Sequence, residues 1–422
     1  MAVCSTHRRF ANSVENEPGT EAKPPRWTGW NDPRLRALVF QAVFLVAVLG
    51  LFGFIINNTL ANLESRGIST GFGFLSNEAG FGIIQTLVDY SETSTFGRTF
   101  LVGLLNTLLV SLLGIVLATL LGFVIGVARL SENWLVSRLA AVYVEVFRNI
   151  PLLLQIFFWY FAVLRALPHP RDSLALGDAA FLNLRGLYLP RPLFEPGFGW
   201  VLAALVAAVV AALLLARWAK RRRLLTGQGF PSGWVGIGLI VLLPGLSFLL
   251  TGAPLGWDVP ALSGFNFRGG ITLIPEFAAL LLALSIYTAA FIAEIVRAGI
   301  LAIPKGQTEA ASALGLKRAQ VLRLIIIPQS LRVIIPPLTS QYLNLMKNSS
   351  LATAIGYPDL VNVFAGTTLN QTGQAVEVIA MTMAVYLSIS LAISLFMNWY
   401  NARIALTERG AVEPMSFQFP ES

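Results

Sequence analysis

Ionisable side chains within apolar stretches are the residues of this sequence whose types and spacing could do chemistry. Glu145 and Arg148 are three positions apart, as are Glu294 and Arg297. On a helix this spacing places an acid and a base on one face, where they can pair. Because a charge is costly inside a membrane, each pair calls for a reason. We expect pairing that fixes helix packing, with gating or contact with another subunit as the alternative.

Lys347 is the most informative of these residues. It lies about 14 residues into an apolar segment, or about 21 Å of helical rise, which is near mid-depth for a membrane-spanning helix. Lys347 must therefore face protein, water or a solute, or be neutralised by Glu294 or Glu145 from another helix. Hydrogen-bonding side chains surround it in the sequence: Ser340, Asn344, Asn348, Ser349 and Ser350.

Several other chemistries find no support in the sequence. The single cysteine, Cys4, excludes a disulfide framework, and the two histidines, His7 and His169, form no cluster with metal-ligand spacing. No GxxxxGK[ST] loop is present to hold nucleotide phosphates. The net charge of +8 comes from basic residues at the ends of apolar runs and forms no stripe for nucleic acid.

The elements that position these residues are long apolar segments. Of 422 residues, 55% are hydrophobic and 12% are charged, whereas about a quarter are charged in a soluble domain. A spanning helix needs about 20 mainly apolar residues. The fold class is therefore an all-α polytopic membrane protein, and we place its eight spans, the third interrupted near Pro151, at 37–56, 100–128, 139–167, 200–216, 233–250, 274–295, 333–355 and 376–397.

The distribution of lysine and arginine predicts the orientation of the spans. Basic residues are concentrated before the first span and in alternate loops, which the positive-inside rule places in the cytoplasm together with both termini. The predicted organisation is a cytoplasmic N-terminal segment (1–36), a first span with an outer loop (37–99), a transmembrane domain (100–410) and a cytoplasmic tail (411–422). The two ends of the chain have the polar composition of disordered segments.

A cytoplasmic loop at 299–328 joins the sixth and seventh predicted spans. Pro304 suits a helix start, and Gly315 suits the left-handed residue that ends a helix. We expect a short helix, a turn and a second, amphipathic helix that Pro328 limits. By itself this pattern is typical of an amphipathic connector.

The spacing in this loop resembles the coupling loop of ATP-binding-cassette (ABC) importer permeases. The pattern has Glu309, Ala310 and Ala311, then Gly315 and Leu316, and finally Pro328. The resemblance extends to VEVFRNIPLLLQ (144–155), YTAAFIAEIVRAGILAIPKGQ (287–307) and LNLMKNSSLATAIG (343–356), which are similar to the polar amino acid branch of the family. The extra first span and the inserted region 168–270 depart from the five-span core of type I importers and resemble first permease subunits of bacterial general L-amino acid transporters.

The resemblance implies a function and a set of partners. Glu309 would anchor the loop on a cytoplasmic ATPase subunit, and Gly315 would be the hinge between the two helices. This chain would hold no cofactor and would not itself be an enzyme, because ATP and Mg would bind two copies of the ATPase subunit. A second permease, a different chain, and a periplasmic amino-acid-binding protein would complete the importer in the bacterial inner membrane.

The resemblance also gives the polar stripe a hypothetical role. Lys347 would attract the carboxylate of an amino acid in transit, while Asn348 and Ser349 bind the zwitterion and Tyr287 lines the same path. The family often has an acidic residue in place of Asn348, so we expect broad specificity. Two other classes are less well supported: a secondary transporter would need inverted repeats and acidic residues at mid-depth, and a membrane-embedded enzyme would need a catalytic constellation within the spans.

Overall fold

The computed structural model describes residues 33–65, 67 and 70–404, which form two compact units divided after Thr70. The predicted tail at 411–422 and most of the predicted N-terminal segment lie outside the described residues. The first unit contributes one helix, α1 (Pro33–Ser65), which contains an apolar stretch long enough to cross a membrane. The predicted first span lies within this helix.

The second unit is mostly helical, which confirms the predicted fold class. Seven helices of the described chain are long and apolar enough to span a membrane, or eight when one bent pair counts as a span. The helices of this unit are α2 (Phe96–Ala128), α3 (Trp134–Asn149), α4 (Leu152–Phe157), α5 (Phe198–Thr226), α6 (Ser232–Leu250), α7 (Pro275–Leu301), α8 (Lys305–Ala313), α9 (Arg318–Val321), α10 (Ile327–Asn348), α11 (Leu369–Thr372) and α12 (Ala375–Ile404).

The third predicted span is a sharply broken helix. α3 ends at Asn149, and α4 continues as a π-helix over Phe158–Leu164, with a bend of 106° between the two halves. Ile150 is extended, as a residue before proline prefers, and Pro151 lacks the N–H that would continue α3. The interruption predicted at Pro151 is therefore confirmed, and it redirects the chain.

The seventh span begins earlier than predicted. α9 continues through a π-helix (Leu322–Ile326) into α10, and the apolar helix runs over Ala319–Ile355 with a 3-10 segment at its end. The expectation that Pro328 limits the second helix of the loop is wrong. Pro328 lies in the first turn of α10, and the wider π-turn before it accommodates the missing N–H.

α2 and α7 pack against each other at very short range because α2 presents glycines to α7. A Cβ atom on Gly122 would lie 2.6 Å from the Cβ of Ile292, and one on Gly126 would lie 2.7 Å from the carbonyl oxygen of Ala293. Small residues allow such backbone approach between membrane helices. Gly122 and Gly126 therefore serve the packing of α2 on α7.

The inserted region combines a helical hairpin, α5 and α6, with short strands that the sequence did not predict. A four-stranded antiparallel sheet has the order β1-β2-β3-β8, and two-stranded sheets pair β4 with β5 and β6 with β7. The strands are β1 (Leu174–Leu176), β2 (Ala180–Asn183), β3 (Gly186–Leu189), β4 (Arg191–Phe194), β5 (Leu255–Asp258), β6 (Ala261–Ser263), β7 (Asn266–Arg268) and β8 (Ile271–Leu273).

The segment that precedes α2 packs onto the C-terminal part of the second unit. Phe74 and Phe96 share a buried cluster with Phe364, and the backbone N–H of Gly71 donates to Glu377 Oε1 at 2.6 Å. Residues 71–99 therefore belong to the second unit by their contacts. The domain boundary after residue 99 remains a prediction.

Candidate functional site

A small cavity of about 270 Å³, called here the central cavity, lies between α7 and α10. Three residues of each helix line it: Tyr287, Thr288 and Phe291 from α7, and Gln341, Asn344 and Asn348 from α10. Thr288 lies 12 residues after Glu276, at the start of α7, and 13 residues before Leu301, at its end. The cavity is therefore near the middle of the helix.

The amides of α10 line one stripe of that helix. Gln341, Asn344 and Asn348 follow the i, i+3, i+7 spacing that places side chains on one helical face. Hydrocarbon would leave amide groups without hydrogen-bond partners, so such a stripe is stable only against protein or water. Gln341 was missing from the predicted site, although its spacing from Asn344 and Asn348 was a signal that could have identified it.

The central cavity offers hydrogen bonds without a net charge. Three amides and the hydroxyls of Tyr287 and Thr288 can each donate and accept, and no charged side chain is among the lining residues of the described chain. The rings of Tyr287 and Phe291 lie 5.0 Å apart and form an aromatic wall. This lining suits a small dipolar solute better than an ion.

The structure brings only part of the predicted substrate path together. Tyr287, Asn344 and Asn348 meet in the central cavity, whereas Lys347, Ser349 and Ser350 do not line it. Ser349 is buried, and its hydroxyl donates to the Met346 carbonyl oxygen at 2.7 Å. The Ser350 hydroxyl donates in the same way to the Lys347 carbonyl, also at 2.7 Å. Both serine hydroxyls therefore donate to backbone carbonyls of the preceding helical turn.

Lys347 lies on the exposed side of α10. Within the described part of the chain its ammonium group takes part in no ion pair. The alternative in which Glu294 or Glu145 of the same chain neutralises Lys347 is therefore wrong. Glu294 pairs with Arg129 and Arg297 instead.

Glu294 is held by two arginines at the end of α7 that leads into α8. Arg297 Nη2 donates to Glu294 Oε1 at 2.5 Å, and Arg129, which follows α2, donates to Glu294 Oε2. The pair expected between Glu294 and Arg297 therefore forms and also ties α7 to α2. Arg129 was not predicted as a partner, because its sequence separation from Glu294 gives no signal.

The expected pair between Glu145 and Arg148 is absent from the described residues, and this prediction is corrected. The Arg148 guanidinium instead lies over the ring of Phe291, 5.1 Å from its centroid, which is a cation–π contact. Glu145 is exposed on α3, and the backbone carbonyl of Glu145 accepts from Asn149 Nδ2. Arg148 therefore contacts the ring of Phe291 on α7 and not the exposed carboxylate of Glu145.

The predicted coupling loop forms a helix closed by a left-handed turn. Gly315 has φ of +75°, its N–H donates to the Ser312 carbonyl, and the Leu316 N–H donates to the Ala311 carbonyl at 3.2 Å. These two bonds define a Schellman motif, which ends a helix at a glycine. The turn predicted at Gly315 is present.

The side chains of α8 divide into a buried and an exposed set. Ala311 is buried in a small cluster with Val321 and Ile326, which fixes α8 on the helix that follows. Glu309 and Ala310 are exposed, and Leu314 exposes 81% of its surface. The exposed side of α8 therefore leaves Glu309, Ala310 and Leu314 accessible to a protein partner. Pro328 is also exposed, on α10.

Asp359 is a buried carboxylate that the sequence analysis did not identify. It is fully buried in the segment between the seventh and eighth spans, where Oδ1 accepts from the Asn362 N–H at 2.8 Å. Oδ2 has no hydrogen-bond partner within the described chain. Burial raises the pKa of the Asp359 carboxyl to about 7, which the bond from Asn362 only partly offsets.

The fold and the site together define a class: a multi-pass helical membrane protein with a polar cavity near the middle of an apolar helix and a short, exposed helix after the end of that helix. Residues 114–406 match the model of the family described as binding-protein-dependent transport system inner membrane component. Because this match covers more than half of the chain, the chain belongs to that family.

Two relatives are similar along almost their full length. The putative amino-acid ABC transporter permease YhdX of Escherichia coli K12 is 61% identical over 378 residues, which is 90% of this chain and 96% of YhdX. The general L-amino acid transport system permease AapQ of Rhizobium johnstonii is 53% identical over 395 residues, which is 92% of this chain and 98% of AapQ. The predicted resemblance to amino acid ABC permeases is confirmed.

The crystal structure of an amino acid ABC transporter with histidines is also similar. It aligns with 73% of this chain and 95% of the solved chain, at 21% identity and a TM-score of 0.43.

Proposed function

We propose that this chain is a permease subunit of an ATP-driven importer for amino acids and that it couples ATP hydrolysis on a partner subunit to movement of the solute. The coupling loop carries this proposal. Its exposed Glu309, Ala310 and Leu314 lie on a helix whose end is fixed by the Gly315 turn. A rigid docking surface can transmit the movement of a partner to the membrane helices, whereas a flexible loop would absorb that movement.

The force would reach the central cavity along two helices. α8 follows α7 directly, and the helix that packs on α8 continues into α10. Since α7 and α10 form the two walls of the central cavity, a shift of α8 would change the distance between those walls. ATP and Mg would bind the two ATPase subunits, because this chain contains no phosphate-binding loop.

The lining of the central cavity supports an amino acid as the solute. Amides bind both the carboxylate and the ammonium of a zwitterion without selecting the charge of its side chain. AapQ is named a general L-amino acid permease. We extend broad specificity to this chain, with a periplasmic binding protein as the source of the amino acid.

A second permease would complete the path. Asn344 and Lys347 are exposed on α10, and lipid would penalise both. A second permease subunit facing α10 would enclose a polar path between the two chains and give Lys347 an aqueous or protein environment, where it could attract the carboxylate of the solute. We propose a different chain in this role.

The complex would reside in the bacterial inner membrane, with both termini of this chain in the cytoplasm. The basic end of α5, with Lys220 and Arg221 to Arg223, and the coupling loop would lie on the cytoplasmic side, as the positive-inside rule requires.

An ion-coupled secondary transporter is the alternative, and the central cavity argues against it. We expect an ion-coupled transporter to place acidic residues beside its solute site. The lining of the central cavity has no carboxylate within the described residues, Glu294 is bound to two arginines, and the buried Asp359 lies outside that lining.

The test is uptake by proteoliposomes that contain the chain with its partner permease, ATPase and binding protein. We expect uptake of L-amino acids that requires internal ATP and persists when ion gradients are collapsed. Gly315→Pro should abolish uptake, because proline cannot adopt the left-handed φ of the turn. Uptake without the ATPase subunit would refute the proposal.

A further inference from the structure

A second and larger cavity, called here the insertion cavity, has a volume of about 580 Å³ and lies at the start of α7. Strands β3, β7 and β8 of the inserted sheets meet α7 there. The volume is within the range of about 300–1,000 Å³ that is usual for small-molecule sites. Its position on the inserted region separates it from the central cavity.

Charged groups of both signs line the insertion cavity, and within the described chain they form no direct ion pair with each other. The Tyr160 hydroxyl donates to Glu276 Oε1 at 2.7 Å and accepts from Arg165 Nη2 at 2.8 Å. The guanidinium of Arg165 also lies 5.1 Å from the centre of the Tyr160 ring. One hydroxyl therefore lies between the cation and the anion, and each group keeps further donors or acceptors for a ligand.

Arg185 adds a second cation to the same cavity. It lies in the turn between β2 and β3, and its guanidinium has no ion-pair partner among residues 33–65, 67 and 70–404. A cavity with two guanidiniums and one carboxylate is complementary to a molecule with two carboxylates and one ammonium group.

Packed aromatic rings and one hydrogen bond build the wall of the insertion cavity. The Tyr188 hydroxyl donates to Asn266 Oδ1 at 2.8 Å, and the ring of Phe267 lies 4.9 Å from that of Tyr188 and 4.6 Å from that of Phe181. This aromatic stack joins the four-stranded sheet to β7. The pairing of β3 with β8 ties the turn that carries Arg185 to the strand that leads into α7. A fixed distance between charges is the condition for selecting a ligand by its charge pattern.

We propose that the insertion cavity binds an acidic α-amino acid. Arg165 and Glu276, which share the Tyr160 hydroxyl, would bind the α-carboxylate and the α-ammonium group, and Arg185 would bind the side-chain carboxylate. This inference rests on the proposed function, since it makes the insertion cavity a binding site that the transported solute occupies before it reaches the central cavity. The central cavity lies 12 residues further along α7, or about 18 Å. The inserted sheets would then favour acidic amino acids in a transporter whose central cavity is neutral.

Equilibrium binding of radiolabelled L-glutamate to the purified full chain in lipid nanodiscs tests the proposal without ATP or partner subunits. We expect Arg185→Gln to weaken L-glutamate binding by about tenfold or more, because one charge-assisted hydrogen bond pair is lost. Binding of L-glutamine should change much less. Glu276→Gln should weaken binding of both amino acids, since both carry the ammonium group.

Arg171→Gln is the matched control, because Arg171 lies in the same inserted region with its guanidinium over Phe265, outside the cavity lining. Its L-glutamate binding should equal that of the wild type, and all three variants should keep the wild-type melting temperature.

Three binding results would overturn the proposal: no saturable L-glutamate binding by the wild type, equal binding by Arg185→Gln and the wild type, or equal losses in Arg171→Gln and Arg185→Gln. A loss of uptake in Arg185→Gln without a loss of binding would also overturn it, because the cavity would then contact the delivering protein. Failure of the proposed function would instead appear as uptake that needs no ATP, which leaves the binding result unaffected.

Discussion

The turn at Gly315 allows a sharp test of coupling, because the geometry separates backbone conformation from side-chain size. Gly315 has φ of +75°, and a Cβ atom added there would have no neighbour within 4 Å. Any side chain therefore fits, and substitutions differ in how readily they adopt the left-handed conformation. Asparagine adopts it at small cost, whereas the β-branched valine is an outlier there.

The magnitude follows from that conformational cost. A non-glycine residue in the left-handed region loses about 1–2 kcal/mol, which changes the equilibrium between formed and unformed turn by a factor of about 5–30. We expect Gly315→Val to destabilise the turn by at least about 1–2 kcal/mol, and Gly315→Asn to destabilise it by much less. The Schellman bonds from Gly315 and Leu316 would then be populated much less in the valine variant.

The assay measures amino acid uptake and ATP hydrolysis in the same proteoliposomes. Gly315→Val should reduce the number of solute molecules imported for each ATP hydrolysed, while Gly315→Asn should stay close to the wild type. Equal ratios for the valine and asparagine variants would refute the argument, because two side chains with opposite backbone preferences would then give the same coupling.

Three further predictions concern the membrane domain. Since the native pKa of Asp359 is raised to about 7, from about 3.9 in an unfolded chain, the native state binds the extra proton between these values. Thermal stability should therefore fall as pH rises from about 4 to 7; Asp359→Asn should flatten this dependence, and an unchanged slope would contradict it. Gly122→Ala should cost about 1–3 kcal/mol by overpacking against Ile292. Gly238→Ala, whose added Cβ has no neighbour within 4 Å, should cost nothing in the same detergent melt; equal melting temperatures would refute the close contact. Asn348→Asp should shift uptake toward basic amino acids in competition assays, and unchanged selectivity would remove the central cavity from the substrate path.

The helices could be predicted from the sequence because each span is a local property. Hydropathy over about 20 residues reports the cost of transferring a segment into lipid, and no other part of the chain enters that cost. The helix break at Pro151 and the turn at Gly315 could be predicted for the same reason, since a missing N–H and a left-handed φ are properties of single residues. Pro328 misled the prediction because the π-turn before it, which has no sequence signal of its own, absorbed the break.

The sequence by itself determined the membrane class, the positions of the apolar helices, the break at Pro151 and the turn at Gly315, because these depend on residues near one another in the chain. Only the tertiary structure decided that Arg129 pairs with Glu294 and that Arg148 contacts the ring of Phe291. It also decided that one cavity is lined by Arg165, Arg185 and Glu276. Charges and rings act over a few ångströms in space, and the packing of helices distant in sequence decides which of them meet.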